Sequence, residues 1–258
     1  MKNSVLKRFR PTLCGIMAGQ TPEELIAGAK DLQADGADAI AVELFDFQLE
    51  HRNVEAFRRV INSVDLPFMF CYYRTDRLDK PSDDMRQEIL LQTVEAGAAI
   101  VDVMADLYDT APRQITYNSE AIDKQMRLID KIHSMGAQAV MSAHTQNFLD
   151  AEETLKIMQS MEARGADIVK IVNTANNADE LAETMRTTMI LQEKLTRPFI
   201  HLCSGKYRIP HRFIGSLLGA SLVFGVHSYN NRYSFPQPLL RNLRQVIDAV
   251  NWNIRDLE

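Results

Sequence analysis

The 258-residue sequence is short of cysteine, has no surplus of basic residues and contains no long apolar run. Each shortage removes a class of protein. Cys14, Cys71 and Cys203 are odd in number, lie far apart and form no C-x-x-C pair. They fit buried small hydrophobes in a reducing compartment, not a disulfide frame or a zinc site. Lys and Arg total 29 against 34 Asp and Glu, a formal net charge of −5, whereas a phosphate-binding groove needs excess positive charge. The longest apolar stretches are interrupted by Gly, His or charge well short of a membrane span. The basic N-terminus, MKNSVLKRFRPTL, has no apolar segment of signal-peptide length behind it. Neither a nucleic-acid nor a membrane partner is expected, and the location expected is cytoplasmic. Pro-, Gly- and Ser-rich linkers are also missing, so residues 1–258 are expected to form one domain.

What is present is an alternation of short apolar runs with longer segments of helical period. The expected strands are Thr12–Met17, Ala39–Glu43, Pro67–Tyr72, Ile100–Met104, Ala137–Ala143, Ile168–Val172, Pro198–Leu202 and Ser221–Gly225. Amphipathic helices are expected at Thr21–Asp35, Asn53–Asn62, Ser82–Ala96, Ser119–Met135, Asp150–Arg164, Asn177–Leu195, Arg208–Leu218 and Pro238–Ile254. The run Thr21-Pro22-Glu23-Glu24 is a helix start with a capping hydroxyl and Pro in the first turn. Gly36, Gly97, Gly136 and Gly165 each close a helical run and precede a strand. Continuously apolar strands alternating with helices imply a parallel sheet covered on both faces. Eight such units fill the chain at the usual size of a (β/α)8 TIM barrel, and that α/β fold is expected here. A doubly wound open sheet is the alternative, but no glycine-rich phosphate fingerprint follows the first strand.

Active sites of such barrels gather at the strand C-termini. The three long irregular segments, Tyr73–Pro81, Leu107–Asn118 and His227–Gln237, all follow strands. Glu43, Arg74, Asp102, His144, Lys170, His201, Ser204 and His227 are the polar residues at or near strand ends. Lys170 is the most informative, because an amine inside the apolar run Ile168–Val172 needs a reason to be there. Burial or neighbouring cations would lower its pKa and leave a free amine able to attack a carbonyl. An outward-pointing lysine, or one paired with a carboxylate, is the alternative. His144, on the adjacent strand, is suited to proton transfer or to a structural hydrogen bond. The basic segment Ser204–Arg212 is either an anion-binding strand-to-helix loop or a solvated charge run. Glu43 suits hydroxyl binding or an ion pair with an arginine. No metal-ligand spacing and no G-x-S-x-G elbow occurs, so carbonyl chemistry without metal or organic cofactor is expected.

These residues, in this order, make the chain resemble type I 3-dehydroquinate dehydratase. The resemblance is carried by Glu43 at the second strand end, Arg74-Thr75 after the third, His144 at the fifth and Gly165-Ala166-Asp167-Ile168-Val169-Lys170 at the sixth. Arg212, Gly215, Gly219 and Phe224 follow the family's spacing in the seventh unit, and Ser234-Phe235-Pro236-Gln237 matches a shortened final loop. It implies a shikimate-pathway lyase, a hydro-lyase of aromatic amino acid biosynthesis, with an imine on Lys170 and His144 moving protons. Arg212 and Gln237 would hold the substrate carboxylate, Ser234 and Gln237 would cap the bound ring, and Glu43 and Arg74 would contact its hydroxyls. The family likeness also implies a homodimer acting on a small carboxylated ketone. Two positions depart from the pattern. Phe45 replaces an arginine and would put an apolar wall against the ring. Leu78 replaces the glutamate that orients the catalytic histidine, leaving Asp76 or Asp79 as substitutes. A lyase or aldolase acting on a related cyclic or polyol ketone, and a silent metabolite-binding barrel, are the other readings.

Overall fold

Residues 5–7, 10–229 and 237–250 are described by the computed structural model. The strands are β1 (Thr12–Met17), β2 (Ala39–Glu43), β3 (Phe68–Cys71), β4 (Ile100–Met104), β5 (Gln138–His144), β6 (Ile168–Thr174), β7 (Phe199–Ser204) and β8 (Leu222–Gly225). The helices between and after them are α1 (Pro22–Ala34), α2 (Val54–Ile61), α3 (Asp83–Ala96), α4 (Ser119–Met135), α5 (Ala151–Ala163), α6 (Ala178–Lys194), α7 (Arg208–Ile214) and α8 (Leu240–Ala249). All ladders are parallel, in the order β7-β6-β5-β4-β3-β2-β1-β8. The two ends of that sheet meet where Ser221 N–H donates to the Phe199 carbonyl at 2.8 Å, which brings the sheet round into a (β/α)8 barrel.

Local chemistry explains the element ends. Thr21 Oγ1 accepts from Glu24 N–H, and the Glu24 carboxylate reaches back to Gln20 N–H at 2.8 Å, so two donors at the start of α1 are satisfied together. Helices α3 and α4 end on Gly97 and Gly136 at φ 114° and 93°, a left-handed turn that costs a side-chain-bearing residue energy. The expected seventh helix is shorter than its apolar pattern, ending at Ile214 instead of Leu218. The last described helix spans Leu240–Ala249, and the rest of its expected length reaches residues outside the described set. Strands β5, β6 and β7 run past their apolar cores to His144, Thr174 and Ser204, so polar side chains are carried on rigid ladder.

The alternation along each strand separates two cores. Leu13, Ile40, Val42, Phe68, Phe70, Val101, Val103, Met141, Val169, Ile171 and Val223 pack outward against the helices. Cys14, Ile16, Ala39, Ala41, Met69, Cys71, Ile100, Val140, Ile168, Val172, Ile200, Leu202, Leu222 and Phe224 form the barrel interior. Gly15, between two interior residues, leaves room for Leu32 of α1, whose side chain would stand 2.7 Å from an added Cβ. The three cysteines are all buried and free. No helix among the described residues is long and apolar enough to cross a membrane.

A buried ion pair braces the loop that follows β3. Arg52 donates to Asp76 at 2.6 Å, with both side chains at most 3% exposed. Tyr72 Oη donates to the same carboxylate, which also accepts from Leu78 and Asp79 N–H groups. Asp76→Ala leaves a guanidinium buried without its counter-charge. It is expected to lower unfolding free energy by about 3–5 kcal/mol, measured as a shifted urea midpoint, whereas a change below about 1 kcal/mol would show that the loop relaxes around Arg52.

Candidate active site

The interior alternation turns polar at the C-terminal end of the barrel. Continuing the same faces upward places Glu43, Asp102, Ser142, His144, Lys170 and Ser204 inside the mouth, with Tyr73 just beyond β3. A cavity of about 330 Å³ opens there, lined by Ile16, Glu43, His144, Gln146, Lys170, Val172, Leu202, Ser204, Arg212, Phe224 and Gln237. Of the residues expected from sequence to bind or react, Lys170, His144, Glu43, Arg212 and Gln237 come together around this one space.

Lys170 stands on β6, where Ser142 of β5 is its register partner. Its Nζ donates to Tyr73 Oη at 2.6 Å and to Asp102 Oδ2 at 3.2 Å. Tyr73 Oη in turn donates to Asp102 Oδ2 at 2.6 Å, and Ser142 Oγ donates to Oδ1 of the same carboxylate at 2.5 Å. Cys71 Sγ lies 3.7 Å from Asp102 Oδ2, and Phe224 presents its ring 5.5 Å from the Lys170 nitrogen. The expectation of a lysine with a lowered pKa does not hold. Burial pulls the Lys170 pKa down, but Asp102, with help from Glu43, more than reverses it, and the net shift is upward. Burial, reinforced by Asp102, also lifts Tyr73 and Cys71 well above their ordinary ranges, so both keep their protons.

His144 is held by a residue that its own neighbourhood in sequence does not announce. Gln114 Oε1 accepts from the His144 backbone N–H and lies 3.0 Å from Nδ1. The amide oxygen can only accept, so Nδ1 carries the proton and Nε2 keeps its lone pair. The ring also stands edge-on to Tyr73, with centroids 5.0 Å apart. Burial first, and then the charge of Lys170, push the His144 pKa down to about 3, so the imidazole is neutral across the physiological range. The loop that delivers Gln114 is strained. Tyr108, Arg113, Gln114 and Gln146 all have φ between 55° and 70°, in the two loops that follow β4 and β5. Such conformations cost energy in side-chain-bearing residues and gather at functional sites.

Arg212 of α7 is 3% exposed and faces the cavity. Its Nε donates to the Cys203 carbonyl at 3.2 Å and Nη1 donates to Gln237 Oε1 at 2.6 Å. Gly205 sets up this corner at φ 80°, where an added Cβ would meet Asn176 Oδ1 at 2.6 Å. Arg208 instead donates to the Gly205 carbonyl at 3.0 Å and does not line the cavity. A guanidinium beside an amide side chain suits a carboxylate.

Several expectations need correcting. Arg74 does not line the cavity. Its guanidinium is held between Asp106 at 2.8 Å and Asp83 at 2.7 Å, and two ionic partners at that range leave it bracing the loops that carry Tyr73 and Gln114. Phe45 forms no wall of this cavity either, being buried with Arg77 stacked 4.6 Å over its ring. Leu78 is partly exposed and apolar, Asp76 is paired with Arg52, and Asp79 accepts from Lys80 N–H, so none of the three orients His144. His201 faces the helices, between Thr188 Oγ1 at 2.9 Å and Asn173. His227 is paired with Asp35 at 2.8 Å. Ser234 lies outside the described residues. Gln114 and Tyr73 were not expected from sequence.

Removing the Gln114 amide should release the imidazole from one tautomer. At pH 7, ¹⁵N imidazole shifts of His144 are expected to report the Nδ1–H form in the unchanged protein and a mixture of tautomers in Gln114→Ala. Identical shifts in both proteins would show that another group sets the tautomer.

Comparisons with known proteins agree over most of the chain. The family described as type I 3-dehydroquinase matches residues 13–253. The 3-dehydroquinate dehydratase of Listeria monocytogenes serotype 4b is 26% identical over 259 residues, covering 97% of each chain. The enzyme of the same name from Alkaliphilus oremlandii is 25% identical over 236 residues, covering 87% of this chain and 86% of the relative. In structure, the type I 3-dehydroquinate dehydratase of Clostridium difficile, solved with covalently modified comenic acid, superposes with a TM-score of 0.79. It is 20% identical, with 95% of this chain and 94% of the other covered. The enzyme of Geobacillus kaustophilus gives a TM-score of 0.80 at 16% identity, covering 95% and 92%. With a match from residue 13 to residue 253, this chain belongs to the type I 3-dehydroquinase family.

Proposed function

We propose that this chain is a 3-dehydroquinate dehydratase that removes water through an imine on Lys170 and yields 3-dehydroshikimate. The observation that carries the reading is the convergence of Lys170, His144 and the Arg212–Gln237 pair on one cavity of about 330 Å³, in a chain of this family. The volume suits a ligand of one ring.

The carboxylate of the substrate sits against Arg212 and Gln237, which fixes the ring in one orientation. Lys170 Nζ attacks the ring ketone, and loss of water leaves an iminium. That cation draws electrons from the neighbouring carbon, whose proton passes to Nε2 of His144. The protonated imidazole then gives a proton to the hydroxyl leaving from the next carbon. Hydrolysis of the product imine restores the amine. Glu43, half-buried at the mouth, accepts hydrogen bonds from ring hydroxyls. Ser234 belongs to the same reading through the family likeness, and so do a homodimer and a cytoplasmic location.

Two experiments test this. Borohydride added to the protein with 3-dehydroquinate is expected to give one reduced adduct by intact mass, located on Lys170 and missing from Lys170→Ala. A folded protein that gives no adduct contradicts the reading. The pH profile is the second. With His144 neutral down to about pH 3, the base is in its working form through pH 5, so kcat/KM is expected to show no acid limb near 6.5. A limb centred near 6.5, in protein still folded by circular dichroism, would mean that the base is an ordinary exposed histidine.

A further inference from the structure

The layer between β7 and its flanking helices is polar where an apolar seam is the rule. Helix α6 buries Thr184, Thr187, Thr188 and Leu191, and of the seven residues of α7 only His211 and Arg212 are buried. Thr184 and Thr187 donate to carbonyls one turn back in their own helix. Thr188 Oγ1 donates likewise to the Thr184 carbonyl at 3.1 Å, and it also lies 2.9 Å from His201 Nδ1 and 3.1 Å from His211 Nε2. With its one proton given to the carbonyl, the hydroxyl can only accept from the two rings. His201 therefore carries its proton on Nδ1 and His211 on Nε2. His201 Nε2 then accepts from Asn173 Nδ2 at 3.4 Å, which ties the set to β6.

We infer that Thr188, His201 and His211 are positioning residues that seat α7, and with it the Arg212 guanidinium, against the barrel mouth. Arg212 follows His211 directly, and it reaches the cavity from a short helix that no side chain caps at its start. Within that helix Ile209 and Phe213 are only partly buried and Ile214 is exposed. The rotation of α7 about its own axis is therefore set by two polar anchors. One is His211 on Thr188, and the other is Arg212 on the Cys203 carbonyl and Gln237. Gly215 leaves room for the first anchor, since an added Cβ there would stand 3.0 Å from His211 Cε1. Both rings are neutral. Burial lowers the His201 pKa well below its ordinary value, and burial followed by the Arg212 charge takes His211 down to about 3. His211 thus carries no charge to repel the adjacent guanidinium.

The inference rests on the reading of Arg212 as the carboxylate ligand only for its effect on turnover; the seating of the guanidinium stands apart from it. Replacing buried polar partners by apolar groups of similar shape need not cost stability, so seating and folding can be separated. Thr188→Val deletes the hydroxyl in nearly the same volume. His211→Phe keeps a ring of similar shape and deletes its nitrogens, and Thr188→Ser restores the hydroxyl.

The test has two readouts on the full chain. The first is hydrogen exchange at Arg212 Nε–H in ¹⁵N-arginine-labelled protein, assigned with Arg212→Lys. This group donates to the Cys203 carbonyl, and it is expected to exchange about tenfold faster in Thr188→Val and in His211→Phe, with Thr188→Ser close to the unchanged protein. The second is steady-state turnover of 3-dehydroquinate. KM is expected to rise about tenfold in the same two variants with kcat within about threefold, because a contact made alike in bound substrate and transition state is read in KM. Unchanged exchange and unchanged KM in both variants overturn the inference. So does a fall in kcat at unchanged exchange that Thr188→Ser does not rescue, since that marks packing alone. If the unchanged protein does not turn over 3-dehydroquinate, the proposed function falls, and Arg212 Nε–H exchange still decides the seating.

Discussion

A lysine placed inside a parallel barrel must be answered by an opposite charge, and the arrangement of this site follows from how Lys170 is answered. Desolvating an ammonium is too costly for burial to be tolerated without a partner. Asp102 supplies the charge from two strands away, Tyr73 supplies a hydroxyl between them, and Ser142 fixes the carboxylate from the strand that separates the two. A buried pair of this kind contributes little to stability compared with an apolar pair of the same volume. The pair stands at the barrel mouth, beside the cavity that Lys170 lines.

The strand alternation makes this arrangement possible. One face of each strand feeds the apolar interior at Ile100, Val140 and Ile168, and the same face two residues later delivers Asp102, Ser142 and Lys170. The carboxylate, hydroxyl and amine thus stand on ladder, where register limits their movement. The other groups at the mouth come from less regular places: Arg212, which lines the cavity, from α7, Gln237, which also lines it, from the segment after β8, and Gln114, which holds His144, from a strained turn in the loop after β4. Arg74 connects the two halves, since its ion pairs with Asp83 and Asp106 tie the loop bearing Tyr73 to the loop bearing Gln114.

Much of this was legible in the residues alone. The eight strand-and-helix units and the barrel followed from apolar runs closed by glycines. Lys170 stood out because an amine interrupts an apolar strand, and Arg212 was singled out by the family resemblance. What could not be read depended on distance along the chain. Gln114 is thirty positions from His144 and sits in a turn whose left-handed backbone no residue type in it signals. Tyr73 carried a faint signal, the period-two continuation of Met69 and Cys71, masked because a tyrosine after a strand is equally good core. The position of Lys170 was visible, but its protonation was not, because the sign of that shift depends on a carboxylate sixty-eight residues away. Arg74 failed for the same reason: nothing local indicated that two aspartates would take its guanidinium.

The most direct test of the account is the protonation state of Lys170 in the resting protein, followed by ¹⁵N or ¹³Cε NMR of lysine-labelled protein with Lys170→Ala for assignment. The buried Asp102 pair predicts an ammonium signal for Lys170 at pH 7 that titrates only above the range of an ordinary lysine. A Lys170 signal already at the neutral-amine position at pH 7, or titrating below pH 9, would contradict it.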